Sequence, residues 1–83
     1  LFNISEANSD GNYVLQALRE AEEAVQHVIN GADEAIELLP QTAYLRRLQH
    51  QVAQRYNLHS RSSGREPLRR VSIFRGDLVD EEL

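Results

Sequence analysis

An arginine and a histidine stand four residues apart at Arg46 and His50, and further arginines follow them toward the C-terminus. Residues four apart on a helix lie on the same face, one turn from each other. A guanidinium group forms paired hydrogen bonds with phosphate, and an imidazole gains a positive charge at slightly acidic pH. The pattern therefore indicates a surface that binds phosphate groups.

Charge is unevenly distributed along the 83 residues, although the net charge is only −4. Residues 1–40 carry one arginine and eight acids, residues 41–76 carry eight arginines and one acid, and residues 77–83 carry four acids. All nine basic residues are arginine, which matches phosphate geometry and stacks on bases. Because binding depends on the local potential, the middle of the chain suits a nucleic acid.

The chain lacks the residues that several other functions require. It has no cysteine for disulfides or thiolate metal sites, and no long apolar run for a signal peptide or membrane span. We therefore expect part of a larger soluble protein, in the cytoplasm, or in the chloroplast stroma if plastid-encoded. No P-loop, His-Glu-x-x-His or Gly-x-Ser-x-Gly motif occurs, so we expect no catalysis, metal or cofactor in this fragment.

Apolar residues recur at helical spacing in the first third of the chain. With Ser9 or Asp10 as a cap, they predict a helix that begins near Gly11 and ends at Asn30-Gly31 in a left-handed conformation. Its apolar stripe comprises Val14, Leu18, Ala21, Val25 and Val28.

A short strand and a second helix are predicted next. Residues 34–39 alternate weakly, and Pro40 ends the strand. Thr42 can cap a helix that runs to about Tyr56, and Asn57 can take the left-handed position after it. The expected buried stripe of this helix is Leu45, Leu48, Val52 and Tyr56.

Two further strands, over residues 58–62 and 69–75, are predicted to complete an α/β fold of the α+β type. Two helices would cover one face of a three-stranded sheet in the order α-β-α-β-β. We assign residues 10–76 to the domain, residues 1–9 to a linker or flexible arm, and residues 77–83 to an acidic tail.

Both candidate binding surfaces of this fold carry basic residues. On a helical wheel Arg46 and His50 point away from the buried stripe, so they form either a binding surface or an ordinary solvated one. The open face of the sheet should also be basic and carry one aromatic ring, which suits stacking and backbone contact on a single strand. Its expected residues are His59, Arg61, Arg70, Ser72 and Phe74.

A series of short motifs resembles the R-three-H domain family. The series comprises Pro40, Arg46-Arg47-x-x-His50, Arg55-Tyr56-Asn57-Leu58, Ser60-Arg61-Ser62-Ser63-Gly64 and Arg69-Arg70-Val71-Ser72-Ile73. The resemblance covers residues 35–74, and Asn57 stands where the family usually has glycine. It implies a domain that binds single-stranded DNA or RNA, with Arg46 and His50 on its exposed surface. We expect weak sequence preference, because no residue is evident that would read base edges. The residues expected to contact phosphate are Arg46, His50, Arg47, Arg61, Arg65, Arg69 and Arg70.

Residues 36–40 and 44–50, with the acidic helix before them, further resemble the P-loop ATPases of cyanobacteria and chloroplasts that end in such a domain. This resemblance implies that the chain is the C-terminal part of a ring-forming ATPase. The full-length protein would be a homo-oligomer that does not enter a membrane, whereas the fragment can be a monomer.

Three further hypotheses remain open. The acidic helix and the basic second half could pair between subunits and assemble the larger protein, or the helix could mask the basic face within one chain. Catalysis by His27, His50 or His59 has no supporting motif. If phosphate contacts His50, binding should tighten below about pH 6.5.

Overall fold

The computed structural model describes residues 2–76, with side chains described over residues 12–76. The elements follow the predicted order of helix, strand, helix, strand, strand. The predicted acidic tail at residues 77–83 lies outside the described residues. The elements are α1 Phe2–Ile29, β1 Ala35–Glu37, α2 Ala43–Arg55, β2 His59–Ser63 and β3 Arg70–Phe74.

Helix α1 begins at Phe2, so the predicted start near Gly11 is wrong. No proline interrupts this part of the chain, and a glycine inside a helix costs only about 1 kcal/mol, which 28 helical residues can absorb. A linker role for residues 1–9 stays a prediction. Neither helix within residues 2–76 has the combination of length and hydropathy that a membrane span requires.

Both helices end through the same hydrogen-bonding pattern. After α1, Gly31 has a φ of 81°, and after α2, Asn57 has a φ of 61°. In each case the amide of the next residue donates to the carbonyl five residues earlier, at 3.0 and 2.9 Å. This is the Schellman motif, which requires a left-handed residue and confirms both predicted helix ends.

Strand β3 is the centre of the sheet and pairs antiparallel with β1 on one side and β2 on the other. Ile73 lies opposite Ile36 of β1 and Ser60 of β2. Val71 and Ile73 are fully buried in one cluster with residues of both helices. Because both helices cover the same face, the predicted α+β fold is confirmed.

The buried face of α2 differs from the predicted stripe. Tyr56 is exposed and Leu48 is only half-buried, whereas Gln49 and Ala53 are completely buried. The buried face is therefore turned by roughly 50° on the helical wheel. In the interface between the helices the Gln49 side-chain nitrogen donates to the Ala17 carbonyl at 3.0 Å, whereas the buried Gln49 Oε1 has no hydrogen-bond partner among the described residues.

Candidate nucleic-acid interface

The start of α2 determines where the Arg and His side chains lie. Thr42 is the N-cap, as predicted, and its Oγ1 accepts a hydrogen bond from the Leu45 amide at 3.4 Å. Arg46 follows in the first turn, and its amide donates to the Thr42 carbonyl at 2.9 Å. His50 lies one turn further along the same side of the helix.

Arg46 is buried, with 8% of its surface accessible to solvent. Its Nη1 donates to the carbonyl of Gln41 at 2.7 Å and lies 3.0 Å from Oε2 of Glu66. Glu66 belongs to the loop between β2 and β3, and its side chain is 60% exposed. Arg46 therefore links the segment before α2 to this loop. The Glu66 carboxylate of the ion pair is exposed to solvent.

His50 is half-buried and joins α2 to β2. Its Nδ1 lies 2.6 Å from Oγ of Ser60, and its Nε2 lies 2.8 Å from Oγ of Ser62. Serine hydroxyls can donate or accept, so both contacts can persist in either charge state of the ring. Burial, and secondarily the positive charge of Arg46, lowers the pKa of His50 below its ordinary value of 6.5.

The prediction that Arg46 and His50 lie on the exposed side of α2 is therefore wrong. The rotated buried face of α2 turns both side chains toward β2 and the loop that follows it. Ser60 and Ser62 were not predicted as the partners of His50. Their alternation in β2 was the available indication, since residues two apart in a strand share a face.

Two of the predicted arginines hold the β2–β3 loop and the sheet together. Nη1 of Arg69 donates to the carbonyl of Gly64 at 2.7 Å. Nε of Arg70 donates to Oε2 of Glu37 in β1 at 2.8 Å. Gly64 has a φ of 92°, and a Cβ at that position would lie 3.2 Å from the Leu68 carbonyl oxygen, so the turn requires glycine.

Three other predicted arginines remain available to a ligand. Arg47 on α2, Arg61 on β2 and Arg65 in the loop are all exposed. None of the three forms an ion pair with a carboxylate of the described part of the chain. Each can therefore neutralise a phosphate without first breaking an ion pair within that part of the chain.

The open face of the sheet has the composition that the strand alternation predicts. His59 lies directly opposite Phe74, and the two rings stack with their centroids 5.8 Å apart and their planes 20° apart. The guanidinium carbon of Arg61 lies 5.5 Å from the centre of the Phe74 ring. This face therefore combines a cation with two aromatic rings.

The predicted site residues do not converge on one point. Arg46 and His50 lie between α2, β2 and the loop, whereas Arg61 lies on the opposite face of β2. The arrangement suits several separate contacts along an extended polyanion. In the described residues, no group of three or more His, Asp and Glu side chains is placed to hold a metal ion.

Comparison with known proteins agrees with the motif-based expectation. The model of the R-three-H domain family matches residues 16–75, which include β1, α2, β2 and β3. The "Uncharacterized protein ycf45" of Porphyra purpurea is 39% identical over 62 residues, equal to 75% of this chain and 11% of that protein. The chain thus spans about a tenth of the length of this relative. R-three-H domains are in general nucleic-acid-binding modules, and this chain belongs to the R-three-H domain family.

Proposed function

We propose that this domain binds single-stranded DNA or RNA through phosphate contacts and with weak sequence preference. The observation that carries the proposal is the exposure of Arg47, Arg61 and Arg65 without carboxylate partners among the described residues. Such cations release counterions from a nucleic-acid backbone when they bind it. A flexible single strand of nucleic acid can bend to contact cations on α2, on the β2–β3 loop and on β2. A short duplex is too stiff to bend in this way.

In this proposal the other predicted residues act less directly. Glu66 occupies the solvent side of the Arg46 guanidinium, so a phosphate has to displace a carboxylate there. His50 positions β2 through Ser60 and Ser62. Arg69 and Arg70 hold the loop and the sheet in place.

Fluorescence anisotropy with labelled single-stranded and duplex oligonucleotides, both DNA and RNA, tests the proposal at several salt concentrations. The variant Arg47→Gln/Arg61→Gln/Arg65→Gln removes the three available cations. If each contacts one phosphate, the slope of log K against log salt should become shallower by about 2, since each contact to a single strand contributes about 0.7.

The matched control for this experiment is Arg19→Gln, which removes an exposed arginine from the acidic helix α1. This control should bind like the unaltered chain. An unaltered chain that shows no salt-dependent binding to single strands would refute the proposed function.

A second candidate function is assembly of a larger protein. A groove of about 430 Å³ between α1 and β1 is lined by four acids, Glu20, Glu23, Asp33 and Glu37, beside apolar residues and His27. Its charge is opposite to that of the β2–β3 loop, so two copies could pair head to tail. Sedimentation velocity without nucleic acid tests this, because such pairing gives self-association at low salt that disappears at high salt.

We also propose that the complete protein is a ring-forming P-loop ATPase of the cytoplasm or the chloroplast stroma, in which this domain binds and does not catalyse. The support is the resemblance of residues 36–50 to ATPases that end in such a domain. Hydrolysis of ATP by the complete protein, stimulated by single-stranded oligonucleotides, is the expected result. Complete protein without ATPase activity would exclude this proposal and leave the binding function of the domain open.

A further inference from the structure

We propose that His59, Phe74 and Arg61 form a base-stacking site on the open face of the sheet, which takes an unpaired nucleobase of a single strand. This inference rests on the proposed function and adds a different contact to it. Phosphate binding needs only charge, whereas this site recognises the base itself.

The sheet register fixes the two rings against each other. His59 of β2 and Phe74 of β3 are directly paired residues, so their side chains leave the sheet side by side on the same face. Their ring planes are 20° from parallel, at a centroid separation of 5.8 Å. The two rings therefore form a stack that a flat base can extend.

Arg61 adds a cation to the same surface. It lies two residues after His59 in β2, and its guanidinium carbon is 5.5 Å from the Phe74 centroid. A guanidinium plane can stack on a base and can also bind the phosphate next to it. One side chain can thus serve both parts of a nucleotide.

The backbone after β3 restricts the position of the His59 ring. A Cβ built on Gly76 would lie 2.5 Å from Nε2 and 2.7 Å from Cδ2 of His59, which is closer than real contacts. A side chain at position 76 would therefore push the ring away from its present place. The absence of a side chain there allows the backbone to support one side of the stack.

The surroundings favour an unpaired base over other ligands. Both helices pack on the opposite face of the sheet, so no described helix covers the aromatic surface. The nearby carboxylate of Glu37 is already paired with Arg70, at 2.8 Å. Bases in a duplex are stacked on their neighbours, so a single strand offers the accessible base faces that this surface requires.

The test compares two labelled single strands of equal length, one with bases and one built of abasic sites, in anisotropy titrations with the whole chain. The unaltered chain should bind the base-bearing strand more tightly. Phe74→Leu and, separately, His59→Ala should weaken binding to that strand by roughly 5-fold to 140-fold, the range for loss of one stacked base. Binding to the abasic strand should not change.

Gly76→Ala provides a variant that keeps all three side chains and only displaces the His59 ring. It should reduce the preference for the base-bearing strand in the same way. The stacking site can therefore still be tested if Phe74→Leu does not fold. Arg47→Gln is the matched control on α2, and it should weaken both strands equally because it removes a phosphate contact.

Equal binding of the two strands by the unaltered chain would overturn the stacking site and leave the phosphate-binding function intact. Failure to bind either strand would overturn both. A preference for bases that survives in Phe74→Leu, His59→Ala and Gly76→Ala would place base recognition elsewhere on the domain and also overturn the stacking site.

Discussion

At the scale of single residues, Arg46 and His50 of the family motif are basic groups that also form hydrogen bonds between elements of the fold. Arg46 connects the segment before α2 with the β2–β3 loop, and His50 connects α2 with β2. A substitution of either residue therefore changes the fold's stability together with its charge. Loss of nucleic-acid binding in such a variant needs a measurement of folding beside it.

The two partners of the Arg46 ion pair should contribute unequally to stability. Arg46→Ala leaves the Gln41 carbonyl without its buried donor and should lower the free energy of unfolding by about 1–3 kcal/mol. Glu66→Gln should lower it by less than about 1 kcal/mol, because Glu66 is largely exposed. Urea unfolding of both variants checks this, and equal losses would contradict the assignment.

Glu66→Gln should also increase the affinity for single-stranded nucleic acid. The substitution removes a carboxylate that competes with phosphate for the Arg46 guanidinium. Asp33→Asn is the control, since it removes one exposed negative charge from the acidic groove. Anisotropy at one salt concentration compares them, and a larger gain for Asp33→Asn would argue against phosphate binding at Arg46.

The half-buried imidazole of His50 should make stability depend on pH. Because folding lowers the pKa of His50, its contribution is complete above the unfolded pKa of about 6.5 and is lost as the pH falls through the lower folded pKa. His50→Gln should flatten this part of the curve of unfolding free energy against pH.

Urea unfolding between pH 7.5 and pH 5 measures both curves, and parallel curves for His50→Gln and the unaltered chain would contradict the prediction. The tightening of nucleic-acid binding expected below about pH 6.5 stays a prediction. The lowered pKa of His50 moves it to lower pH.

At the scale of elements, the role of Asn57 as the left-handed cap at the end of α2 can be tested directly. Asn57→Gly should be neutral or slightly stabilising, because glycine adopts the φ of 61° without strain. Asn57→Ala should destabilise the domain by up to about 1 kcal/mol, since the short polar side chain of asparagine can hydrogen-bond locally in the left-handed region and that of alanine cannot. Thermal unfolding of the two variants checks the difference, and a more stable alanine variant would contradict the role of Asn57 as the helix cap.

The elements that could be predicted from sequence are those that depend on neighbouring residues. Thr42 and Asn57 bound α2 through local hydrogen bonds, and Val71 and Ile73 alternate with polar neighbours in β3. Local chemistry of this kind is visible in the sequence. The open sheet face followed from it, which is why His59 and Phe74 were both expected there, although their stacking was not predicted.

The orientation of α2 could not be predicted in the same way. The buried face of α2 includes Gln49, which donates to the Ala17 carbonyl, 32 residues away in the chain, and a polarity pattern treats glutamine as a surface residue. The buried face of α2 lies roughly 50° from the predicted one on the helical wheel. For this reason Arg46 and His50 contact the loop and β2 and do not lie on the exposed surface. Packing of the two helices in the core thus determines the surroundings of the motif.

At the scale of the whole molecule, the acidic first part of the chain and the basic part that follows it belong to one folded domain. Helix α1 cannot be removed to test whether it masks the basic face, because Ala21, Ala24 and Val25 belong to the core. Substitutions of exposed acids avoid this problem.

The variant Glu23→Gln/Glu34→Gln should raise affinity for single strands at low salt and leave it unchanged at high salt. Long-range repulsion between these acids and the phosphates is screened beyond about 10 Å at 0.1 M salt. Anisotropy at both salt concentrations measures the effect. A gain that persists at high salt would indicate a direct contact in place of a long-range field.

The central position of β3 has a consequence for synthesis of the chain. β3 follows β1 and β2 in the sequence, yet each of them pairs only with β3 within the described sheet. During translation the two helices can pack together as soon as they emerge, but the strands have no partner until residues 70–74 have been made. The ribosome must therefore release almost the whole domain before its sheet, and with it any open-face binding surface, can exist.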